Sequence, residues 1–150
     1  VLIGVDEKKM RLAAKLGAFH ILNGMDKNLE KRAADIFDGS GADVILEASG
    51  SYLGAENAIK LVAPGGKVIL QSLCGSKNQR AFNLDHVVIN DLTLRGALGS
   101  PGIWPEVIQL IESGGVNPKK IVTHEFPITE FSEALKVIRQ RDGIKLIVRL

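Results

Sequence analysis

The first six residues of the chain, Val-Leu-Ile-Gly-Val-Asp, place the strongest constraint on its fold. This short, continuous apolar run stops at Asp6, and a helical pattern opens directly after it at Glu7. An uninterrupted apolar strand is typical of a parallel sheet that is covered on both faces. The stretch therefore predicts a buried parallel strand followed by a helix.

Asp6 lies at the end of this predicted strand, and two roles are open to it. In nucleotide-binding α/β sheets, an acid at the carboxyl end of the second strand accepts hydrogen bonds from the hydroxyls of an adenosine ribose. Asp is also a favoured helix N-cap, and the helix dipole stabilises an acid there without any ligand. The glycine-rich turn that precedes such a ribose-binding acid by about 20 residues would fall before Val1.

Strands and helices alternate along the rest of the chain, as in parallel-sheet proteins. After the opening strand, the patterns predict strands at 19–22, 42–47, 67–73, 92–99, 121–126 and 144–150. They predict helices at 7–16, from a cap at Asn28 to 37, at 55–62, at 105–111, and at 127–138 with Thr129 as cap. A surface loop is expected at 74–80, a helical or irregular piece at 84–90, and a turn at 100–102.

Three of the predicted strands end in small residues, at 48–50, 72–73 and 97–99. Glycine and serine make tight turns after strands, so each cluster alone has a simple structural explanation. All three together, with Asp6 at a fourth strand end, favour a nucleotide crevice, because parallel strands open a ligand site at their carboxyl ends. In the strand order 3-2-1-4-5-6 the first strand is central. We therefore predict an α/β fold with a Rossmann-type doubly wound parallel sheet that lacks its first strand and glycine-rich turn in this chain, and expect the chain to be a piece of something longer.

Composition excludes several other classes of protein. Hydrophobic residues make up 45% and charged residues 24% of the chain, which is ordinary for a globular protein. A net charge of +2 without a basic stripe, and an aromatic content of 5%, argue against a nucleic-acid partner. The apolar runs are far shorter than the ~18 residues of a membrane-spanning helix, and no signal sequence is recognisable. The single cysteine, Cys74, excludes an internal disulfide and favours a reducing, cytoplasmic location.

Several segments, in this order along the chain, resemble the zinc-containing medium-chain alcohol dehydrogenase family. The sorbitol and threonine dehydrogenase branches are the most similar. The resemblance covers nearly the whole chain and is carried by Asp6 with Arg11, Lys15–Ala18, Glu47–Gly50, Leu61–Val68, Leu94–Gly96 and Val122–Pro127.

The resemblance implies a set of contacts with NAD. Asp6 would bind the adenosine ribose and favour NAD over NADP, because a carboxylate repels a 2′-phosphate, and Arg11 would lie near the same ribose or the adenine. Ala48 and Ser49 would contact the adenosine half of the cofactor. Further contacts are implied for the backbone around Gln71, Ser72 and Leu73 with the nicotinamide half, for Ala97 and Gly99 with the carboxamide, and for Lys145 with the pyrophosphate. For Lys145, a solvated strand charge is an equally good interpretation.

The resemblance also implies how the chain is organised. Residues 1–99 would form a partial NAD-binding Rossmann domain, and residues 100–150 would pack back on a catalytic domain that this chain lacks. That domain would supply the zinc ligands, so no catalytic or metal-ligating residue is expected here. His20, His86 and His124 have no ligand spacing among themselves, and His124 is interpreted as structural.

The predicted function is transfer of a hydride from a secondary alcohol or polyol to NAD, assisted by zinc. The expected partner is a small-molecule alcohol or polyol, and the expected assembly is a homodimer or homotetramer joined through the edge strand at 92–99. Two alternatives are a zinc-free NAD(P)-dependent reductase and a non-catalytic cofactor-binding module. A third is an S-adenosylmethionine-dependent methyltransferase, because the segment Leu61–Gly66 before a strand also resembles that class.

Overall fold

A computed structural model of the chain describes residues 1–75, 81, 83–100 and 102–150. The chain divides into two compact units, Val1–Gly99 and Ser100–Leu150. The first unit contains, in order, β1 (Leu2–Gly4), α1 (Glu7–Lys15), β2 (Ile21–Asn23), α2 (Leu29–Ile36), β3 (Ala42–Glu47), α3 (Tyr52–Leu61), β4 (Val62–Leu70), α4 (Leu84–Ile89) and β5 (Thr93–Gly96).

The second unit begins with α5 (Trp104–Glu112) and a 3₁₀ turn at Pro118–Ile121. The strand β6 (Val122–Pro127), a second 3₁₀ turn at Ile128–Glu130, the helix α6 (Phe131–Arg139) and the strand β7 (Lys145–Arg149) follow. β6 and β7 pair in parallel, and Ala134 of α6 is buried. No helix in the described part of the chain is long and apolar enough to cross a membrane.

All strand pairs of the first unit are parallel, which confirms the predicted α/β class. β1 pairs with β2, and β4 lies between β3 and β5 in a separate three-stranded sheet. Among the described residues, β1 and β3 each have a strand partner on one edge only. These two sheets correspond to the halves 3-2 and 4-5-6 of the doubly wound order, with the place of the central first strand between them.

A cavity of about 450 Å³ lies between the two sheets. Its walls are β1, the carboxyl end of β3 and one side of α3, and we call it the inter-sheet cleft. The residues that line it are Val1–Val5, Gly24, Ile45–Ser49, Ser51, Leu53, Gly54, Asn57, Ala58 and Leu61.

A hydrophobic cluster behind the cleft joins the two sheets. Leu22 of β2, Leu29 and Ala33 of α2 and Leu61 of α3 are buried together, and Ile45 of β3 packs against them. The amide Nδ2 of Asn57 on α3 also donates to the carbonyl of Gly24, which follows β2, at 3.2 Å. The first unit is therefore continuous although its two sheets share no backbone hydrogen-bond ladder.

A second cluster packs α3 onto the three-stranded sheet. It contains Ala58 of α3 with Val62 and Val68 of β4, and Leu70 and Leu92 cover it. Val68 has no exposed surface, and complete burial of such a side chain stabilises a fold by about 1.5–3 kcal/mol. This sheet carries the strand ends described below.

β4 begins five residues earlier than the sequence predicts. Val62 leaves α3 and pairs at once with Ala42, after which the register shifts and Lys67 pairs with Val44. The intervening Pro64 and its glycines form the irregularity that the shift requires, since proline cannot continue either the helix or a regular ladder. The prediction of Val62 in the helix was therefore wrong.

Smaller differences occur at other element ends. Thr129 was expected to cap the last helix, but it lies in a 3₁₀ turn, and α6 begins at Phe131 after Glu130, whose side chain makes no cap bond. Phe19 was expected in a strand but precedes β2 with 92% of its surface exposed. The expected loop at 74–80 lies largely outside the described residues, as do Phe82 and the central residue of the expected turn at 100–102, Pro101.

Candidate functional site

Three strands of the first unit end side by side. In the register of the sheet, Glu47 of β3 is opposite Leu70 of β4, and Leu70 is opposite Gly96 of β5. The ladder continues one step further, because the N–H of Gln71 donates to the Glu47 carbonyl and the N–H of Ala97 donates to the Leu70 carbonyl, both at 2.9 Å. The segments that follow the three strands therefore leave the sheet in one row, which we call the strand-end row.

The turn after β3 approaches the segment after β4 closely. Gly50 has a φ of +67°, and a Cβ atom on it would lie 3.2 Å from the carbonyl oxygen of Leu73. A side chain at this position would therefore be strained and crowded, which explains the glycine. Ala48 and Ser49, just before it, are exposed.

The other predicted residues of the row also reach the surface. Gln71 and Leu73 are exposed and Ser72 is half-buried after β4. Ala97 and Gly99 are exposed after β5, and Gly99 adopts a φ of +79° with no neighbouring atom near its missing Cβ. Seven of the ten predicted cofactor contacts thus belong to the segments that leave the sheet at this row. They are Ala48, Ser49, Gln71, Ser72, Leu73, Ala97 and Gly99.

Asp6 follows β1 and caps α1. Its carboxylate Oδ1 accepts a hydrogen bond from the N–H of Lys9 at 3.1 Å. This bond, together with the positive charges of Lys9 and Lys8, holds the pKa of Asp6 below its ordinary value. The side chain is therefore ionised at neutral pH. The capping role is present in the structure, and ribose binding by the same carboxylate stays a prediction.

Arg11 lies one turn along α1 and forms an ion pair with Glu7 at 3.1 Å. Both side chains are mostly exposed, at 65% and 78% of their surface. Exposed pairs of this kind contribute little to stability, so the guanidinium can leave Glu7 for an anionic ligand at small cost.

Lys145 belongs to the second unit. It is the first residue of β7, its side chain is exposed, and its carbonyl accepts a hydrogen bond from the Thr123 hydroxyl at 3.3 Å. Its predicted contact with a pyrophosphate stays a prediction.

Sequence reasoning assigned no role to Glu47, which the structure places at the β3 end of the strand-end row. Only 4% of its surface is exposed. Its Oε1 accepts hydrogen bonds from the N–H of Ser49 at 2.7 Å and from the Ser49 hydroxyl. Its Oε2 is buried and has no hydrogen-bond partner among the described residues. An acid as the last residue of a buried strand, followed by serines two and four positions later, is the sequence signal that could have found it.

The hydrogen-bond chain that starts at Glu47 has a defined direction. A carboxylate only accepts, so Ser49 donates its one hydroxyl proton to Glu47. Ser51 must then donate across the 3.0 Å that separates the two serine hydroxyl oxygens, while it accepts the N–H of Gly54 at 2.9 Å as the cap of α3. The hydroxyl proton of Ser49 is therefore already used in a hydrogen bond within the protein, and a ligand would contact the backbone and the methylene group of Ser49 instead.

The histidines of the chain have structural partners. His86 donates from Nε2 to the Ile59 carbonyl at 3.2 Å and ties α4 to α3. His124 is stacked on Phe126 with 6.1 Å between ring centres. Across residues 1–75, 81, 83–100 and 102–150 there is no group of three or more His, Cys, Asp or Glu side chains that could hold a metal ion. The described residues therefore do not fit a zinc site.

Comparison with known proteins identifies relatives of this chain. The sequence model of the family described as zinc-binding dehydrogenase matches residues 1–113. L-threonine 3-dehydrogenase of Pyrococcus furiosus is 32% identical over 96% of this chain and 42% of its own length. Erythritol/L-threitol dehydrogenase of Mycolicibacterium smegmatis is 33% identical over 92% of this chain and 38% of its own length.

A solved structure supports the same relationship. The alcohol dehydrogenase of Thermus sp. ATN1 superposes with a TM-score of 0.83 at 30% identity, over 98% of this chain and 43% of that chain. This chain thus spans about two fifths of the length of the proteins it matches. Since the family model covers most of the sequence and the fold agrees, the chain belongs to the zinc-binding dehydrogenase family.

Proposed function

We propose that this chain binds NAD at the strand-end row as part of an oxidoreductase that transfers a hydride from a secondary alcohol or polyol to NAD. The observation that supports this most is the row itself. Three parallel strands end at one level, they are followed by small residues, and the ionised carboxylate of Asp6 lies two residues after a fourth strand of the same unit. The related proteins named for threonine, erythritol and threitol suggest the alcohol class of the substrate.

In this proposal the adenosine half of the cofactor lies between the ends of β1 and β3. Asp6 accepts hydrogen bonds from the ribose hydroxyls and repels the 2′-phosphate of NADP. The guanidinium of Arg11 leaves Glu7, its exposed ion-pair partner, and contacts the adenine or the ribose. Ala48 and Ser49 present backbone and small side chains, which allow the ring to approach closely.

The nicotinamide half lies over the ends of β4 and β5. The backbone around Gln71, Ser72 and Leu73 contacts the ring and its ribose, and Ala97 and Gly99 bind the carboxamide through backbone groups. Lys145 neutralises the pyrophosphate. NAD supplies the hydride acceptor, and this chain binds and orients it.

The remaining parts of the proposal concern the whole protein. Zinc would have its ligands outside the described residues, in keeping with the family description. The edge that pairs with a second copy would be β5, which has one strand neighbour among the described residues and exposes Leu94, while Leu98 is exposed just after the strand. Unpaired edges of this kind favour strand pairing with a second copy, and we propose a homodimer or homotetramer located in the cytoplasm.

A calorimetric titration tests the cofactor assignment. The polypeptide, purified as its natural source produces it, is titrated with NAD, NADP and S-adenosylmethionine, and bound zinc is measured on the same sample. Preferential NAD binding with zinc present supports the dehydrogenase. NAD binding without zinc supports a zinc-free reductase or a cofactor-binding module, and binding of S-adenosylmethionine alone contradicts the proposal.

The variant Asp6→Asn separates the two roles of Asp6. Asparagine keeps an oxygen for the cap of α1 but loses the charge and one acceptor. We expect the Kd for NAD to rise about tenfold or more, as for loss of a hydrogen bond to a charged group, and the preference for NAD over NADP to narrow. Asp26→Asn is the matched control, because Asp26 is also a carboxylate that accepts a backbone N–H at a helix start. An unchanged NAD affinity in Asp6→Asn would contradict the proposal that Asp6 binds the adenosine ribose.

A further inference from the structure

We propose that Tyr52 is a positioning residue for the nicotinamide side of the strand-end row. Its hydroxyl fixes residues 72–75, which we call the β4 exit segment, against the start of α3. The inference rests on the proposed function, because it takes the backbone around Ser72 and Leu73 as the surface that contacts the nicotinamide half of NAD. Tyr52 acts through this segment and does not touch the cofactor.

A hydrogen bond between distant parts of the chain is the first observation that carries the proposal. The Tyr52 hydroxyl donates to the backbone carbonyl of Gly75 at 3.0 Å. Tyr52 is half-buried and is the first residue of α3, whereas Gly75 lies 23 positions later, beyond the end of β4. A carbonyl only accepts, so the phenol is the donor. The bond therefore joins the connection between β3 and α3 to the β4 exit segment.

The β4 exit segment depends on this bond for its far end. The sheet holds the chain up to Gln71, whose N–H donates to the Glu47 carbonyl at 2.9 Å. Among the described residues, the bond from Tyr52 is the one hydrogen bond that residues 72–75 make beyond that point. Gly75 is exposed, and the space at its missing Cβ is open. Packing therefore does not fix the far end, and the Tyr52 hydroxyl does.

The middle of the β4 exit segment lies against the turn after β3. A Cβ atom on Gly50 would lie 3.2 Å from the Leu73 carbonyl oxygen and 3.6 Å from Cβ of Ser72. The segment is therefore held at Gln71, passes close to Gly50, and is held again by Tyr52. Its backbone is ordered before a cofactor arrives, and an ordered binding segment loses less entropy when the ligand binds.

The adenosine side of the row is held by other bonds. Ser49 donates its N–H and its hydroxyl to Glu47, and Ser51 accepts the N–H of Gly54 as the cap of α3. None of these bonds uses the Tyr52 hydroxyl. Loss of that hydroxyl should therefore weaken the contacts with the nicotinamide half of NAD and leave those with the adenosine half in place.

The variant Tyr52→Phe tests the proposal, because it removes the hydroxyl and keeps the ring. The polypeptide as its natural source produces it is titrated by calorimetry with NAD and with ADP-ribose, which is NAD without its nicotinamide. We expect the Kd for NAD to rise roughly two- to tenfold, as for loss of one neutral hydrogen bond, and the Kd for ADP-ribose to stay at its wild-type value. An equal rise for both ligands, or no rise for NAD, would overturn the proposal.

Ser40→Ala is the matched control. The Ser40 hydroxyl also donates to a backbone carbonyl, that of Phe37 at 2.6 Å, but Ser40 lies before the amino end of β3 and thus away from the strand-end row. Both Kd values should stay at wild type in this variant. If Ser40→Ala raised the Kd for NAD as much as Tyr52→Phe does, the effect would come from general destabilisation, and the positioning role of Tyr52 would be contradicted.

Hydrogen exchange without ligand separates this inference from the proposed function. In Tyr52→Phe the amides of the β4 exit segment should exchange faster than in wild type, while those of residues 48–51 should not change. A wild-type polypeptide that binds neither NAD nor ADP-ribose would contradict the proposed function, and faster exchange in the variant would then still support the anchoring of the segment by Tyr52. Unchanged exchange at residues 72–75 would overturn the inference whether or not NAD binds.

Discussion

Asp6 and Glu47 are the acids at the two strand-to-helix connections that follow β1 and β3, yet the structure uses them in opposite ways. Asp6 is half-buried and accepts the N–H of Lys9 at the start of its own helix. Glu47 is almost fully buried, binds the turn that leads to the next helix, and keeps one oxygen without a partner among the described residues. An acid after an apolar strand therefore does not define its role. The role follows from whether water can reach the carboxylate.

Among the variants that test this contrast between Asp6 and Glu47, Gly54→Ala is expected to change the free energy of unfolding most. The new Cβ would lie 2.8 Å from Oε1 of Glu47 and 3.0 Å from the Ser51 hydroxyl. These oxygens can move only by breaking the hydrogen bonds that hold Glu47, so we expect the free energy of unfolding to fall by about 2 kcal/mol, as in overpacked sites. Urea unfolding at pH 7 measures it. A glycine in an open helix would show the reverse, a gain of roughly 0.5–1 kcal/mol, and that result would contradict a crowded Glu47 site.

A smaller effect is expected from Ser49→Ala, which removes one donor from Oε1 of Glu47 and leaves the backbone donor in place. Loss of a hydrogen bond to a buried charged group should lower the free energy of unfolding by about 1.5 kcal/mol. Ser113→Ala is the control, because Ser113 is an exposed serine bonded to a backbone carbonyl, and its change should stay within about 0.5 kcal/mol. If Ser49→Ala and Ser113→Ala lower the free energy of unfolding equally, the Ser49 hydroxyl does not stabilise the buried carboxylate of Glu47 more than an exposed serine stabilises its backbone partner.

The smallest effect is expected at Asp6 and depends on pH. The hydrogen bond from Lys9 and the nearby lysine charges lower the pKa of Asp6 in the folded chain. Its contribution to stability is therefore present above its ordinary pKa and is lost as the pH falls through the lower folded pKa. The difference in urea midpoint between wild type and Asp6→Asn should be small at pH 7, should begin to shrink near about pH 4, and should vanish only once the pH is below the lowered pKa of Asp6. A difference that persists in acid would mean that the charge of Asp6 does not stabilise the cap.

The sequence was sufficient for the alternation of strands and helices because the apolar patterns are local. The early start of β4 was missed because Val62 is paired by Ala42, a residue twenty positions away, and no local pattern contains that partner. Glu47 was missed for a related reason. Its residue type and its place on a strand are visible in the sequence, but its burial depends on how α3 packs on the sheet. The small residues after three predicted strands indicated that these strand ends lie together. Which residues of neighbouring strands lie opposite one another depends on the register of the sheet, which the sequence does not reveal.

The connection behind the inter-sheet cleft has a thermodynamic consequence. The two sheets are held together by the buried Leu22 cluster, by the Asn57 bond to Gly24, and by Lys60, which pairs with Glu30 at 3.6 Å and with Glu56 at 3.1 Å. Neither sheet can open without losing these contacts, so the contacts couple the unfolding of one sheet to the unfolding of the other. The first unit is therefore expected to unfold as one cooperative body in spite of its two separate sheets.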